Sequence, residues 1–213
     1  MKINKKTVSG FTIIEMIVTI AILATMLSLG LANVEGRNQA RNLALSEENF
    51  VSDLHKLQGF SIEAKDNPNG NKAVAWDISL SPSILAYTLS VESGNILIPT
   101  KNSGNAQTAV STEQFSPGTI INANTSNPSS SGIVITDSSS GVSIQYCASA
   151  LTISFSVPYG RILQTYTATP CSGGASQTYY NMPYDKTNIT LIDKNGDLSQ
   201  IVIDGIAGNI STP

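Results

Sequence analysis

The sequence predicts an α+β fold, one long N-terminal helix followed by a domain of antiparallel strands. Three observations carry that expectation: an apolar run over residues 11–32, a helical stripe continuing to about residue 63, and strand-like alternation from Ala73 onward. A chain of 213 residues suits one globular domain with an appended segment. Hydrophobic residues make up 41%, enough for a packed core, while charged residues reach only 13%, about half the usual share. Ser, Thr, Asn and Gly supply the polarity instead, a mixture suited to an exported β-rich domain.

The apolar run, FTIIEMIVTIAILATMLSLGLA, has 22 residues and extends about 33 Å as a helix, enough to cross a hydrocarbon layer. Lys2, Lys5 and Lys6 precede it, and Arg37 is the first basic residue after it. This asymmetry places the N-terminus in the cytoplasm and the rest of the chain outside. Small hydroxyls at Thr12, Thr19, Thr25 and Ser28 are tolerable in such a span. Glu15 is not, because an ionised carboxylate costs about 2.5–3.5 kcal/mol at the centre of a membrane helix. Either Glu15 lies close enough to the interface to stay wet, or it has a cationic partner.

The residues around Glu15 read Ser9-Gly10-Phe11-Thr12-Ile13-Ile14-Glu15-Met16. This segment resembles the processing motif of type IV prepilins and pseudopilins: a short basic leader ending in Gly10, an aromatic Phe11, Glu15 at the fifth place after the cut, and an apolar run. The resemblance covers about residues 1–35. It implies cleavage between Gly10 and Phe11 by a membrane prepilin peptidase, N-methylation of the new Phe11 amine, and a pilin-like fold. The chemistry is coherent, since cutting creates a cationic α-amine at the lip of an apolar helix. Glu15 of one subunit can neutralise that amine on its neighbour, and the charge pair sets axial register. A conventional secretory signal would instead be cut after the apolar run, near Gly30 or Ala32, and would leave Glu15 unexplained.

Leu43, Phe50, Leu54, Leu57 and Ser61-Ile62 form one apolar stripe at helical spacing, with Arg37, Arg41, Glu47, Glu48, Asp53 and Lys56 on other faces. One nearly continuous helix over 12–63 follows, softened around Gly30 to Gly36. The expected organisation is a leader at 1–10, a transmembrane helix at 11–33, an amphipathic continuation at 34–63 and a β-rich head at 64–213. The pilin resemblance makes the first half of the helix lipid- or neighbour-facing and lays the second half on the head. Many members of that family carry a proline near the end of the apolar half, where this chain has Ala32.

Asp66-Asn67-Pro68-Asn69-Gly70-Asn71 stops the helix. Strands are expected at Ala73–Leu80, Ile84–Val91, Ile96–Ile98, Ile133–Thr136, Val142–Tyr146, Leu151–Val157 and Arg161–Thr167. Ile189–Ile192 and Leu198–Ile203 flank a Lys194-Asn195-Gly196-Asp197 hairpin turn. The Ser-, Thr-, Asn- and Gly-rich residues 101–132 and 137–141 read as exposed loops. Ala73–Val91, Leu151–Gly160 and Ile201–Ile210 loosely resemble the head of the H-type minor pseudopilin of type II secretion and its FimT relatives.

Cys147 and Cys171 suggest a single disulfide in an exported domain, the alternative being two separate buried thiols. Asp193, Asn195 and Asp197 imitate a calcium loop, but the EF-hand pattern needs Gly at its sixth place, which Leu198 occupies. A plain hairpin explains the same residues, so no cofactor is expected. His55 has no ligand-spaced companion, and neither a nucleophile elbow nor a phosphate-binding glycine loop occurs. Nothing here points to an enzyme. Without its three leader lysines the chain has nine basic against fifteen acidic side chains, a net charge of −6. That balance argues against a nucleic-acid partner.

The leading expectation is therefore a structural subunit, a minor pilin or pseudopilin of a type IV pilus or type II secretion-like filament. Its partners would be the prepilin peptidase/methyltransferase, other pilin-type subunits and an inner-membrane assembly platform. It would start as a single-pass protein of the plasma (inner) membrane. Two alternatives stand: an envelope-anchored binding protein that never assembles, and a DNA-uptake minor pilin. The second lacks a basic patch, since only Arg161, Lys186 and Lys194 are basic after residue 101.

Overall fold

The computed structural model describes residues 12–66, 68–82, 85–94, 106–122, 132–137, 144–182, 185–205 and 207–213. These form one helix and eleven strands, an α+β arrangement. The chain divides into two compact units, residues 1–38 and 39–213. The single helix, α1, spans Ile13–Ile62 and passes through Gly30 and Gly36 without a break.

In the second unit, α1 lays Leu43, Phe50, Leu54 and Leu57 into one core cluster with the sheet. Ser61 is also buried, but Ile62 turns outward, so the expected stripe ends one residue early. Phe50 meets Tyr87 edge-on, with ring centroids 5.0 Å apart, and Phe115 at 6.0 Å. The Tyr87 hydroxyl in turn donates to Asp53 Oδ2 at 2.7 Å, which satisfies the phenol beside the helix. Two further bonds hold this stretch of helix to the connection ahead of residue 120. Ser116 N donates to Ser46 Oγ at 2.9 Å, and Asn42 Nδ2 donates to the Pro117 carbonyl at 3.3 Å.

The helix stops where the loop signal begins, through a Schellman-type cap. Lys65 N bonds back to the Phe60 carbonyl at 3.0 Å and Ala64 N to the Ser61 carbonyl at 3.2 Å. The cap forces Ala64 to φ +51°, a left-handed conformation that glycine adopts without penalty. Ala64→Gly is expected to raise stability by about 1 kcal/mol, read as a higher urea midpoint at unchanged m-value. An unchanged or lowered midpoint would show that Ala64 carries no strain.

The strands are β1 Ala73–Leu80, β2 Ala86–Ser93, β3 Ala106–Gln114, β4 Ile120–Ile121, β5 Ile133–Asp137 and β6 Ile144–Ser156. They continue as β7 Arg161–Pro170, β8 Gln177–Met182, β9 Lys186–Ile192, β10 Leu198–Asp204 and β11 Asn209–Ser211. All belong to one sheet whose main path runs β11-β10-β9-β5-β6-β1-β2-β3, with β4 on β9 and β7 between β6 and β8. β6 is its hub. It pairs with β5 through Ile144–Cys147, with β1 through Leu151–Ser156, and with β7 along nearly its whole length, always antiparallel.

Several sequence expectations change here. Val142–Tyr146 and Leu151–Val157 are not separate strands: β6 runs through Ala148-Ser149-Ala150 by a register shift rather than a turn. The displaced Ser149 donates its hydroxyl to the Thr167 carbonyl at 3.1 Å. Within the expected loop 101–132, Ala106–Gln114 is β3, an edge strand paired with β2 from Ala86↔Gln114 to Ser93↔Ala106. β8 and β11 had no counterpart in the sequence reading. The expected strand Ile96–Ile98 lies outside the described residues.

Alternation fixes which side of the sheet each residue takes. On β1, Trp76, Ile78 and Leu80 join the helix-facing core, so Asp77 and Ser79 point to the opposite side. Cys147 and Cys171 are disulfide-bonded, with Cα atoms 5.1 Å apart, and tie the start of β6 to the residue after β7.

Candidate functional site

The first helical turn is built by Thr12, which stands just outside α1 as its N-cap. Its carbonyl accepts from Glu15 N at 3.1 Å and Met16 N at 3.2 Å, and its hydroxyl accepts from Glu15 N at 3.4 Å. Glu15 is therefore at the third helical position of a Thr-x-x-Glu pattern, where the helix dipole favours a negative charge by about 0.3–1 kcal/mol. Part of the cost of an acid in this segment is thus offset locally. The Thr12-x-x-Glu15 spacing carries this cap in the sequence itself.

Beyond Glu15 the helix surface is apolar and bare. The most apolar 18-residue window has a mean hydropathy of 2.2, and none of it is buried. Ile13 is 81% exposed and Leu29 is 75% exposed. This is the one described helix long and apolar enough to cross a membrane. Its hydroxyls are turned inward on its own backbone. Thr19 Oγ1 donates to the Glu15 and Met16 carbonyls at 2.9 Å each, Thr25 Oγ1 to Ile22 at 2.8 Å, and Ser28 Oγ to Ala24 at 2.8 Å. Each hydroxyl hydrogen is satisfied within the helix, so none needs a partner in lipid or on another helix.

Gly10 and Phe11, the expected processing residues, lie outside the described residues. Residues 5–31 match the family model of the prokaryotic N-terminal methylation motif. The chain carries a prepilin-type N-terminus. This N-terminus, the long apolar helix and the antiparallel sheet together support a type IV prepilin-like precursor, and the motif implies processing by a prepilin peptidase and assembly with other pilin-type subunits. Motif and helix are also consistent with a membrane anchor. No characterised protein and no solved structure shows a significant match to the chain.

The other sequence candidates resolve into structural roles. Asp193 Oδ1 accepts from Asn195 N at 2.8 Å and Asp197 N at 2.9 Å, capping the β9–β10 turn, where Gly196 takes φ +87°. Asn195 and Asp197 are exposed, while Asp193 is buried. His55 is exposed on α1. Among the described residues, no group of three His, Cys, Asp or Glu side chains is placed to hold a metal.

Two buried acids were not singled out in the sequence. The Tyr166 hydroxyl donates to Asp185 Oδ2 at 2.8 Å, and Gln164 Nε2 donates to the Asp185 carbonyl at 3.0 Å. Thr187 Oγ1 donates to Gln164 Oε1, completing a satisfied network between β7 and β9. Burial pushes the Asp185 carboxyl up, while the Tyr166 hydrogen bond pulls it back. Asp77 is different: it is fully buried on the sheet side opposite α1, and its Oδ1 has no hydrogen-bond partner.

Proposed function

We propose that this chain is a minor subunit of a type IV pilus or type II secretion-like filament, inserted as a prepilin, cut after Gly10 and N-methylated on Phe11. The observation that carries the reading is the exposed apolar first stretch of α1, capped by Thr12 and bearing Glu15 in its first turn, within a matched methylation motif. The basic leader 1–10 stays in the cytoplasm, residues 11–33 cross the inner membrane, and residues 34–63 continue as helix into the extracytoplasmic head, 64–213. Once Phe11 is exposed, its amine and the Glu15 carboxylate of a neighbouring subunit compensate each other in a medium that tolerates neither alone. The disulfide suits a head that folds in an oxidising compartment. The loose resemblance of Ala73–Val91, Leu151–Gly160 and Ile201–Ile210 to H-type minor pseudopilins and FimT-like pilins supports a minor rather than a major subunit. The low share of basic residues argues against a DNA partner.

Mass spectrometry of the chain from native cells tests the processing step. The expected N-terminal peptide begins at N-methylated Phe11 and disappears in cells lacking the prepilin peptidase. A mature protein beginning at Met1, or downstream of Leu31, would instead identify an unprocessed single-span anchor or a conventional secretory product.

A further inference from the structure

The buried network between β7 and β9 brings a nucleophile against an amide. Gln164 and Thr187 are both 0% exposed, and the Thr187 hydroxyl donates to the Gln164 amide oxygen. Each residue is fixed on both flanks. Gln164 pairs with Ile153 of β6 and Met182 of β8, while Thr187 pairs with Ile135 of β5 and Ile203 of β10. β7 and β9 share no ladder, so the link between them is made by side chains alone.

The amide is also oriented. Gln164 Nε2 donates to the Asp185 carbonyl at 3.0 Å. A backbone carbonyl only accepts, so the nitrogen faces Asp185 and Oε1 faces Thr187. A hydroxyl oxygen bonded to a carbonyl oxygen stands about 3–4 Å from the carbonyl carbon. That range overlaps the roughly 3–3.5 Å separation of a near-attack arrangement. The same residue that holds the nitrogen supplies a proton carrier. The Asp185 carboxyl accepts from the Tyr166 hydroxyl at 2.8 Å, and burial pushes it up from the ordinary carboxylate value, which makes it a stronger base than an exposed aspartate.

We propose that Thr187 and Gln164 condense into an ester that joins β9 to β7 covalently. Thr187 Oγ1 attacks Gln164 Cδ. The Oγ1–Cδ bond forms, the Cδ–Nε2 bond breaks, and the nitrogen departs as ammonia. The hydroxyl proton passes to the Asp185 carboxylate and from there to the leaving nitrogen, so protons balance and no oxidant or co-reactant is required. Burial protects the product too, because an ester closed to water is not hydrolysed. The bond forms within the head and needs no partner subunit.

Peptide mass spectrometry of the full chain, purified in detergent micelles and then reduced and digested, tests the bond. Trypsin cuts after Arg161, Lys186 and Lys194, which puts Gln164 and Thr187 in separate peptides, 162–186 and 187–194. The expected product is the two peptides joined, lighter than their sum by one ammonia, and parted by hydroxylamine, which cleaves esters and spares amides. Thr187→Val keeps the side-chain shape without the nucleophile and should give two separate peptides of sequence mass. Asp185→Asn retains the carbonyl that holds Gln164 and should slow linkage by roughly a hundredfold or more. Two results overturn the assignment: both peptides separate and at sequence mass in the unsubstituted chain, or a joined pair that persists in Thr187→Val. Undiminished linkage in Asp185→Asn would overturn the proton route.

Discussion

Glu15→Leu is expected to leave membrane insertion intact and to remove the chain from filaments. Leucine at this place makes the span more apolar, so insertion has no reason to fail. What disappears is the counter-charge for a neighbour's Phe11 amine, and stripping one partner from a buried pair costs about 3–5 kcal/mol. That corresponds to roughly a hundredfold or greater loss of subunit docking. The measurement is an immunoblot of membrane and sheared-filament fractions from cells producing the substituted chain. Because Glu15 also lies in the first turn capped by Thr12, Glu15→Gln is the informative companion. It keeps a polar group beside the helix N-terminus and deletes only the charge. Normal filament incorporation of Glu15→Gln would show that the acid serves its own helix rather than a neighbour.

Phe50→Ala is expected to cost about 3–5 kcal/mol of head stability, a large share of the roughly 5–15 kcal/mol available to a typical domain. Phe50 is fully buried and contacts both Tyr87 and Phe115, which also face each other at 5.2 Å. Truncation leaves a cavity bordered by two rings that cannot collapse into it, since Tyr87 is held by Asp53. Urea denaturation of the full chain in micelles, followed by tyrosine fluorescence, reads the loss. A cost below about 1 kcal/mol would mean that residues 39–62 of the helix are not seated on the sheet.

The long helix was legible because two periodic signals meet in it without a gap, the apolar run around Glu15 and the stripe from Leu43 to Leu57. The hairpin of β9 and β10 was legible for the same kind of reason, Asn195-Gly196 between two alternating segments. The strands that escaped notice lack such a signal. β3, AQTAVSTEQ, is an edge strand with mostly half-open or exposed positions, so its sequence needed no apolar alternation. β6 was divided because Cys147-Ala148-Ser149-Ala150 looks like a pause, whereas the strand absorbs its extra residue as a local shift against β7.

For the functional site, Glu15 stood out by its chemistry in an apolar run, and nothing tertiary was needed to see it. Asp77 did not stand out. Within Trp76-Asp77-Ile78 an acid at alternate spacing predicts a solvent-facing side chain, and only the assembled strands reveal that this side is closed. Burial on the second side of a sheet depends on distant segments, and a local pattern cannot carry it.

The central place of β6 has a consequence for the order in which the head forms. β1 and β2 are neighbours in sequence and can zip as soon as both are free. The other edge of β1, however, waits for partners 71 to 81 residues further along, from Leu80↔Leu151 to Ala75↔Ser156. In the proposed export across the membrane, the hairpin emerges with an unsatisfied flank and remains so until most of the polypeptide has followed. Contacts that close such long intervals are slow to form and leave an adhesive ribbon bare in the meantime. Chaperone protection outside the membrane matters most in that interval, before the hub strand arrives.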